Sequence, residues 1–187
     1  MPKKVKTITF ALKDMLKEYG DEKVKELLYS FSCSKNKQVE MFLKNSSILF
    51  EKKNKSRTYL IFENNSYKFL AYYTLTISTV KIKQASKKLL QRLDGISREN
   101  KEVYPVYLIG QLGKNDAYWN RIKGDYILEE AIDAINSASS IAGGRIILIE
   151  TQNNENLKKF YEKNKFKLLQ SRTDDKCNEY LQMYRLI

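Results

Sequence analysis

The chemistry open to this chain is limited by its side chains, because none of its 187 residues is a histidine. A Ser-His-Asp or Cys-His apparatus is therefore impossible, as is a histidine-based zinc or iron centre. The two cysteines, Cys33 and Cys177, lie far apart in sequence without metal-ligand spacing, so no metal is expected. Any reaction must use Tyr, Glu, Asp, Lys, Ser or the backbone.

A loop that precedes an amphipathic segment is the first candidate site. It runs from Lys114 to Gly124 and leads into Asp125. Exposed amides at a helix N-terminus can bind an anion, and Gly124 lets a ligand approach the backbone closely. Arg121 and Lys123 add positive charge, whereas the Asp125 carboxylate already complements the helix dipole. Strand–loop–helix units are common, so the pattern alone leaves open whether the loop binds a phosphate.

A second candidate site is the segment 153–166, which is rich in amide and aromatic side chains. Asn154 can cap a helix on which Leu157, Phe160 and Tyr161 fall on one face. A core helix with a buried aromatic pair explains this pattern equally well, and Phe160 suits that interpretation best.

Periodicity predicts the elements that must position these two segments. Helical spacing comes first, then an alternating hairpin rich in β-branched and aromatic residues, then strands that alternate with helices. This order predicts an α/β chain with a mixed sheet, in which residues 1–30 look appended to a domain at 31–187. The predicted helices are 10–19 and 22–29, separated by Gly20, then 36–54 capped by Asn36, 84–93, 125–141 and 154–163. The predicted strands are 58–63, 67–79, 105–112, 145–150, 166–171 and 179–186.

The charge of the chain favours a polyanionic partner. Lys and Arg number 34 against 22 Asp and Glu, which gives a net charge of +12. Nucleic acid or a phosphorylated cofactor would suit such a surface. No apolar run reaches the ~20 residues of a membrane helix. The basic N-terminus lacks the apolar stretch of a signal peptide, so a cytoplasmic location without membrane association is expected.

Both candidate segments resemble the GNAT superfamily of acetyl-CoA-dependent N-acetyltransferases. Gly124 falls on the last glycine of that family's phosphate loop, and the segment 127–131 matches the helix after it. The family's second motif, with an Asn, a Phe-Tyr pair and a closing Phe, is matched by Asn154, Leu157, Phe160, Tyr161 and Phe166. The resemblance covers roughly residues 30–187. It implies a GNAT-like α/β (α+β) fold with a mixed, mostly antiparallel sheet, a splayed central strand and flanking helices.

The resemblance also implies roles for individual residues. A strand-end amide near Leu112 would bond the thioester oxygen, and Tyr161 would protonate the departing sulfur of CoA. Asn154 would either bond the pantetheine arm or cap its helix. Because no histidine is present, Glu150 is the candidate for accepting the amine proton through water, with a solvated strand end as the alternative. The expected acetyl-CoA contacts are Leu112, Gly113, Lys114, Asn120, Arg121, Ile122, Lys123, Gly124, Asp125, Asn154, Phe160 and Lys163.

Three departures from the family pattern bear on cofactor affinity rather than on fold. Trp119 replaces the first Arg or Gln of the loop, and Ile122 replaces its first glycine. Lys165 replaces the glycine before the closing Phe, which costs ~1 kcal/mol or more if that residue is left-handed. Backbone amides make most phosphate contacts, so binding of acetyl-CoA is still expected.

The acceptor stays open among three kinds of amine. The segments 56–60 and 71–75 are similar to the GNAT toxins of bacterial toxin–antitoxin modules, which acetylate aminoacyl-tRNA. This similarity implies an aminoacyl-tRNA acceptor and an antitoxin-like protein partner. Whether the protein forms a homodimer is left open. A basic cluster able to follow a phosphate backbone comprises Lys81, Lys83, Lys87, Lys88 and Arg92. A protein amine or a small amine is the other acceptor considered. The rival function is a non-catalytic GNAT-like module that binds RNA or a protein.

Overall fold

The computed structural model describes residues 5–82, 85–96, 101–175 and 177–187. A short strand and a helical region come first, and strands and helices alternate along most of the remaining chain. In chain order the elements are β1 Thr7–Ala11, α1 Leu12–Tyr19, α2 Asp21–Tyr29, α3 Lys37–Asn45, α4 Ser47–Lys52, β2 Arg57–Glu63, β3 Phe69–Lys81, α5 Lys87–Asp94, β4 Val103–Lys114, a 3-10 turn Asp116–Tyr118, α6 Gly124–Ala142, β5 Ile146–Gln152, α7 Glu155–Lys163, β6 Lys167–Thr173 and β7 Glu179–Leu186.

The strands form a mixed, mostly antiparallel sheet in the order β1-β2-β3-β4-β5-β7-β6. Strands β1, β2 and β3 pair antiparallel, as do β5, β7 and β6. Strands β4 and β5 pair parallel, from Tyr107–Ile147 to Ile109–Ile149. This pairing ends at Ile109 although β4 continues to Lys114, which is the splay expected of the central strand. The predicted fold class is therefore confirmed.

The chain divides into two compact units. Unit 1 comprises Met1–Thr76 and Gly110–Ala131, and unit 2 comprises Ile77–Ile109 and Ile132–Ile187. The core of unit 1 brings helices α1 to α3 against strands β2 and β3, with Leu12, Leu28, Phe31, Leu43 and Tyr72 fully buried. The core of unit 2 gathers β-strand side chains and Leu93 of α5, and its buried members include Val80, Tyr104, Val106, Leu148 and Tyr184.

The N-terminal segment differs from the prediction of helices only. Residues Thr7–Ala11 form strand β1, in which Phe10 pairs with Leu60 of β2. Two β-branched threonines and Ile8 favour a strand here, and pairing with β2 overrides the helical spacing that begins at Phe10. Gly20 does separate the two helices that follow. Since Leu12 is buried in the core of unit 1, this segment contributes to that unit, while a domain boundary at residue 30 stays a prediction.

The predicted helix 36–54 is two helices rather than one. Asn36 caps α3 as expected, and its side chain accepts from the amides of Gln38 and Val39. At Ser46 the backbone leaves helical geometry, and α4 begins at Ser47, whose buried hydroxyl donates to the Leu43 carbonyl. Serine hydroxyls that bond a carbonyl four residues earlier favour such a bend.

The other predicted elements agree with the observed ones to within a few residues. Strand β3 is shifted by two residues from its predicted position, β4 is longer than predicted, and Pro105 lies third in β4 rather than first. Lys83 of the predicted basic cluster and Gln84 at the predicted start of a helix lie outside the described residues. Among the described residues, no helix has the length and apolar character needed to cross a membrane.

Candidate functional site

The loop between β4 and α6 is organised by Asn115, a buried side chain of unit 1. Its Oδ1 atom accepts from the amides of Ala117 and Ser32, at 3.2 and 3.3 Å, and its Nδ2 atom donates to the Phe69 carbonyl at 2.9 Å. The Asn115 amide donates to the Leu70 carbonyl at 2.8 Å. One side chain therefore fixes the point at which the chain leaves β4.

Two of the predicted phosphate-binding cations, Lys114 and Arg121, contact protein groups that hold the loop in shape. The Lys114 ammonium donates to the carbonyls of Trp119 and Ile122, at 2.8 and 3.3 Å. Burial, followed by the nearby positive charge of Lys35, lowers the pKa of Lys114. The Arg121 guanidinium pairs with the Glu63 carboxylate at the end of β2. The pKa of Glu63 is lowered by its hydrogen bonds to Ser66 and Arg121.

Helix α6 begins at Gly124 and is 19 residues long. Ile122 is buried, whereas Asn120 and Lys123 are exposed. The amides of Tyr126 and Ile127 donate to the Lys123 carbonyl at 3.2 and 3.4 Å, which begins the helical pattern. The first amides of a helix lack carbonyl partners within it and carry its positive dipole end. The loop thus presents the exposed Lys123, beside the paired Arg121, and a helix N-terminus with a glycine, a combination that suits an anion.

Gly113, predicted to contact the cofactor, lies against the core of unit 1. A β-carbon there would come 2.5 Å from Val39 Cγ1 and 3.1 Å from Tyr72 Cε1. The Tyr72 hydroxyl donates to the Val39 carbonyl at 2.5 Å, which fixes α3 close to the strand. The position therefore requires a glycine for the packing of α3. Leu112, one residue earlier, is partly exposed.

Tyr161 lies in α7 of unit 2, and its ring is only 8% exposed. It meets the ring of Phe160 edge-on at 5.0 Å and that of Phe166 at 5.9 Å. Burial raises the pKa of Tyr161 to about 12. Within the described residues, no hydrogen-bond partner is found for its hydroxyl. The phenol therefore keeps its proton at neutral pH.

Asn154 caps α7, since its Oδ1 atom accepts from the amides of Asn156 and Leu157 at 2.9 and 3.2 Å. The capping role is thus observed, whereas contact with a pantetheine arm stays a prediction. Phe160 is partly buried against Tyr161, as the core interpretation expects, and Lys163 is exposed at the last turn of α7.

Glu150 is held by neighbouring strands of unit 2. Its Oε1 atom lies 2.8 Å from Arg172 Nε of β6, and its Oε2 atom accepts from Gln182 Nε2 of β7 at 3.5 Å. Both carboxylate oxygens of Glu150 thus have a protein partner. A water that carries the amine proton to Glu150 would have to share one of these oxygens with Arg172 or Gln182. The sequence indicated Glu150 but not its partners, because the order of β5, β7 and β6 is not readable from spacing.

The predicted site residues are distributed over both units. The loop residues from Leu112 to Asp125 belong to unit 1, whereas Glu150, Asn154, Phe160, Tyr161 and Lys163 belong to unit 2. Sequence reasoning missed Asn115 and Glu63. The signal for Asn115 was an asparagine directly after a strand, where Asx turns occur. Glu63 gave no comparable signal, because its partner Arg121 is 58 residues away.

No protein-family model matches the sequence, and a search of curated protein sequences finds no match. Solved structures do match. AtaT complexed with acetyl-methionyl-tRNAfMet is 19% identical over 94% of each chain, with a TM-score of 0.68. A tyrosine-to-phenylalanine mutant of the AtaT toxin, bound to the C-terminus of the antitoxin AtaR and to acetyl-CoA, is 18% identical over 96% of this chain and 92% of its own, with a TM-score of 0.64.

A tyrosine-to-phenylalanine mutant of KacT is 16% identical, over 96% of this chain and 94% of its own, with a TM-score of 0.70. At these identities the likeness establishes the fold, which is the one that these structures share.

Proposed function

We propose that this protein is an acetyl-CoA-dependent N-acetyltransferase that transfers an acetyl group to the amine of an aminoacyl-tRNA. The observation that carries the proposal is the buried Tyr161 phenol, protonated at neutral pH and without a hydrogen-bond partner in the described residues, on a fold shared with AtaT. In this proposal residues 31–187 form the acetyltransferase domain, residues 1–30 complete the core of unit 1, and the protein works in the cytoplasm.

The loop residues fit the anionic part of acetyl-CoA. A pyrophosphate needs amide donors and positive charge, which the start of α6 and the exposed Lys123 supply. Gly124 has no side chain to keep a phosphate from the backbone. Lys114 and Arg121 act as positioning residues, because their hydrogen bonds hold the loop carbonyls and the end of β2 rather than a ligand.

Acetyl-CoA, when bound, supplies the acetyl group and a thiolate leaving group. As the acceptor nitrogen forms its bond to the carbonyl carbon, the carbon–sulfur bond breaks and the sulfur needs a proton. Tyr161 donates it from its hydroxyl, and the phenolate then regains a proton from solvent. The leaving thiolate, whose ordinary pKa is ~8.5, is less basic than this phenolate, so the proton transfer depends on close positioning.

Two further groups complete the reaction. A backbone amide near Leu112 donates to the carbonyl oxygen as negative charge develops on it. Glu150 accepts the surplus proton of the amine through water, and Arg172 fixes the orientation of its carboxylate. Both roles come from the resemblance and the sequence.

An RNA acceptor accounts for the charge of the chain. A net charge of +12 favours association with a polyanion and makes its affinity strongly dependent on salt. The AtaT structure with acetyl-methionyl-tRNAfMet supports an aminoacyl-tRNA as acceptor, and the AtaT complex with AtaR supports an antitoxin-like protein partner. A protein amine or a small amine is the alternative acceptor.

Two measurements test the proposal in order. Acetyl-CoA at ~100 times its dissociation constant should stabilise the protein by about 2.7 kcal/mol, seen as a rise of several degrees in melting temperature. Charged tRNA incubated with the protein and labelled acetyl-CoA should then yield acetyl-aminoacyl-tRNA, whereas deacylated tRNA should stay unlabelled. Label in protein lysines or in small amines alone would contradict the tRNA acceptor.

A non-catalytic module is the second candidate function. The observation in its favour is that Lys114 and Arg121 are occupied by protein partners, which leaves the loop fewer cations for a pyrophosphate. Such a module would bind RNA or a protein without acetyl transfer. An unchanged melting temperature at millimolar acetyl-CoA would favour it over the enzyme.

A further inference from the structure

Unit 2 contains a cavity of about 290 Å³ whose lining is strongly cationic. The cavity lies where the chain passes from α7 into β6, beside the end of β7. We call it the cationic cavity, and its lining residues are Arg92, Lys165, Lys167, Tyr184, Arg185 and Leu186. Four of the six carry a positive charge and none carries a negative one.

Within the part of the chain that the structure describes, these four cations have no acidic partner, unlike three other basic residues of unit 2. Lys81 pairs with Glu102, Lys101 with Asp94, and Arg172 with Glu150. Among the described residues, Arg92, Lys165, Lys167 and Arg185 form no ion pair. Of the four, only Arg185 has a hydrogen-bond acceptor in the described part of the chain, the Asn164 carbonyl at 3.4 Å. Four unneutralised charges around one concavity repel one another, and an anion would relieve that repulsion.

Lys165, which lines the cavity, has an unusual backbone conformation for a lysine. Its φ angle is 68°, in the left-handed region, which is unfavourable for an L side chain. Its amide donates to the Glu162 carbonyl at 2.9 Å, which holds this turn after α7. Glycine would adopt the same turn at less cost, yet a lysine that lines the cavity stands there. A lysine at this position therefore places its charge at the cavity despite an unfavourable backbone conformation.

The cavity is separate from the proposed base, Glu150, within unit 2. Arg185 pairs with Ile147 and Leu186 with Ile146, at the start of β5. Glu150 pairs with Gln182, three residues further along β5, and Asn154 follows the end of that strand. At ~3.3 Å per residue, Glu150 lies about 10 Å along the strand from Ile147. The cavity and the proposed base therefore lie toward opposite ends of β5.

We propose that the cationic cavity binds a phosphate group. Two guanidinium groups can hold phosphate oxygens through paired hydrogen bonds, and two ammonium groups add point charges. The proposal rests on the proposed function, because the phosphate backbone of the acceptor RNA is the source that a tRNA-modifying enzyme meets. A free phosphate-bearing small molecule has the same chemistry, and the experiment separates the two sources.

The test compares two variants of the full chain with equal charge. Arg92→Gln/Lys167→Gln removes two cations from the cavity lining, and both side chains are exposed, so folding should be kept. Lys13→Gln/Lys17→Gln removes two exposed cations from α1 and serves as the matched control. Binding of a labelled RNA hairpin is measured by fluorescence anisotropy from ~50 to ~200 mM salt, and binding of inorganic phosphate by calorimetry.

The cavity variant should bind the RNA hairpin at least ~10-fold more weakly than the wild type at ~100 mM salt, and its salt slope should fall by about 2. The control should change affinity by less than ~3-fold. Loss of inorganic phosphate binding without loss of RNA affinity identifies a small phosphate as the ligand. Equal behaviour of both variants toward RNA and phosphate would overturn the proposal. The acetyl-CoA-induced rise in melting temperature, measured on the same variants, reports the proposed function independently.

Discussion

Gly113 and Val39 approach so closely that a β-carbon at position 113 would lie 2.5 Å from Val39 Cγ1. Gly113→Ala must therefore push α3 away from β4 or distort the strand. Overpacking of this kind costs about 1–3 kcal/mol, because a dense core has no room for the added methyl group. We expect the midpoint of urea unfolding to fall accordingly.

Gly110→Ala is the matched control, since it adds the same methyl group to the same strand. Its nearest neighbour would be Thr74 Oγ1 at 3.1 Å, and Gly110 is exposed. This variant should lose less than half as much stability as Gly113→Ala. Equal losses would show that strand propensity, and not contact with Val39, sets the cost at Gly113.

Tyr161→Phe removes one oxygen from the buried ring and leaves its packing against Phe160 and Phe166. If the hydroxyl protonates the leaving sulfur, turnover should fall by ~10²–10⁴ while acetyl-CoA affinity and melting temperature change little. Because burial raises the pKa of Tyr161 to about 12, its deprotonation should not limit turnover below about pH 10. Steady-state rates across pH with the accepted amine provide the measurement.

Tyr104→Phe gives the opposite signature and so controls for loss of a hydroxyl. Tyr104 is buried in unit 2, and its hydroxyl donates to the Lys101 carbonyl at 3.1 Å. Removing it should cost ~1 kcal/mol of stability and leave turnover near the wild-type value. If Tyr161→Phe keeps at least half of the wild-type turnover, Tyr161 is not the acid and serves only in packing.

Glu63→Gln separates the two possible roles of Arg121. As a positioning residue, Arg121 needs the Glu63 carboxylate to hold the loop, so this variant should bind acetyl-CoA more weakly. Ion pairs on the surface contribute little, so the loss of affinity should be at most ~5-fold. Calorimetric titration measures it. Tighter binding by Glu63→Gln would instead mean that the freed Arg121 contacts a phosphate directly.

Glu40 should make the stability of the protein depend on acidic pH. Hydrogen bonds from the Cys33 amide, then from Lys44 and Lys37, lower its pKa from 4.5 to about 2. A lowered folded-state pKa stabilises the protein fully above the unfolded-state value and loses that effect as pH falls toward 2. Glu40→Gln should therefore be less stable than the wild type at pH 7. The difference in unfolding free energy should shrink between about pH 4.5 and 2.

A difference between the two proteins that stays constant over this range would show that packing, and not the charge of Glu40, stabilises α3. Glu129→Gln on exposed surface of α6 is a suitable comparison, and it should follow the wild-type pH dependence.

Local signals predicted most of the fold. Amphipathic spacing, asparagine caps at Asn36 and Asn154, and the glycine after α1 fixed the helices within a few residues, because each acts over one turn of chain. Strand β1 was missed since its pairing partner, β2, lies some fifty residues away in sequence. The break at Ser46 was missed because the apolar spacing continues through it.

The candidate site was predictable by residue type but not by partner. The buried tyrosine and the helix-start glycine follow from motif spacing. The roles of Lys114 and Arg121 do not, because each depends on a carbonyl or carboxylate that the folded loop brings into reach. Lys165 is the opposite case, because its left-handed backbone was expected from the glycine that it replaces in the family motif.

Asn115 has a consequence for how the chain is made. The side chain and amide of Asn115 form hydrogen bonds with backbone groups of Ser32, Phe69 and Leu70. The packing of the first 76 residues of unit 1 therefore depends on a residue that is synthesised much later. A nascent chain that ends before Asn115 leaves those buried carbonyls without partners, at a cost of about 1–3 kcal/mol for each group. Unit 1 therefore cannot mature at the ribosome until the segment Gly110–Ala131 has emerged, and the Ile77–Ile109 part of unit 2, about a third of that unit, is translated before this segment.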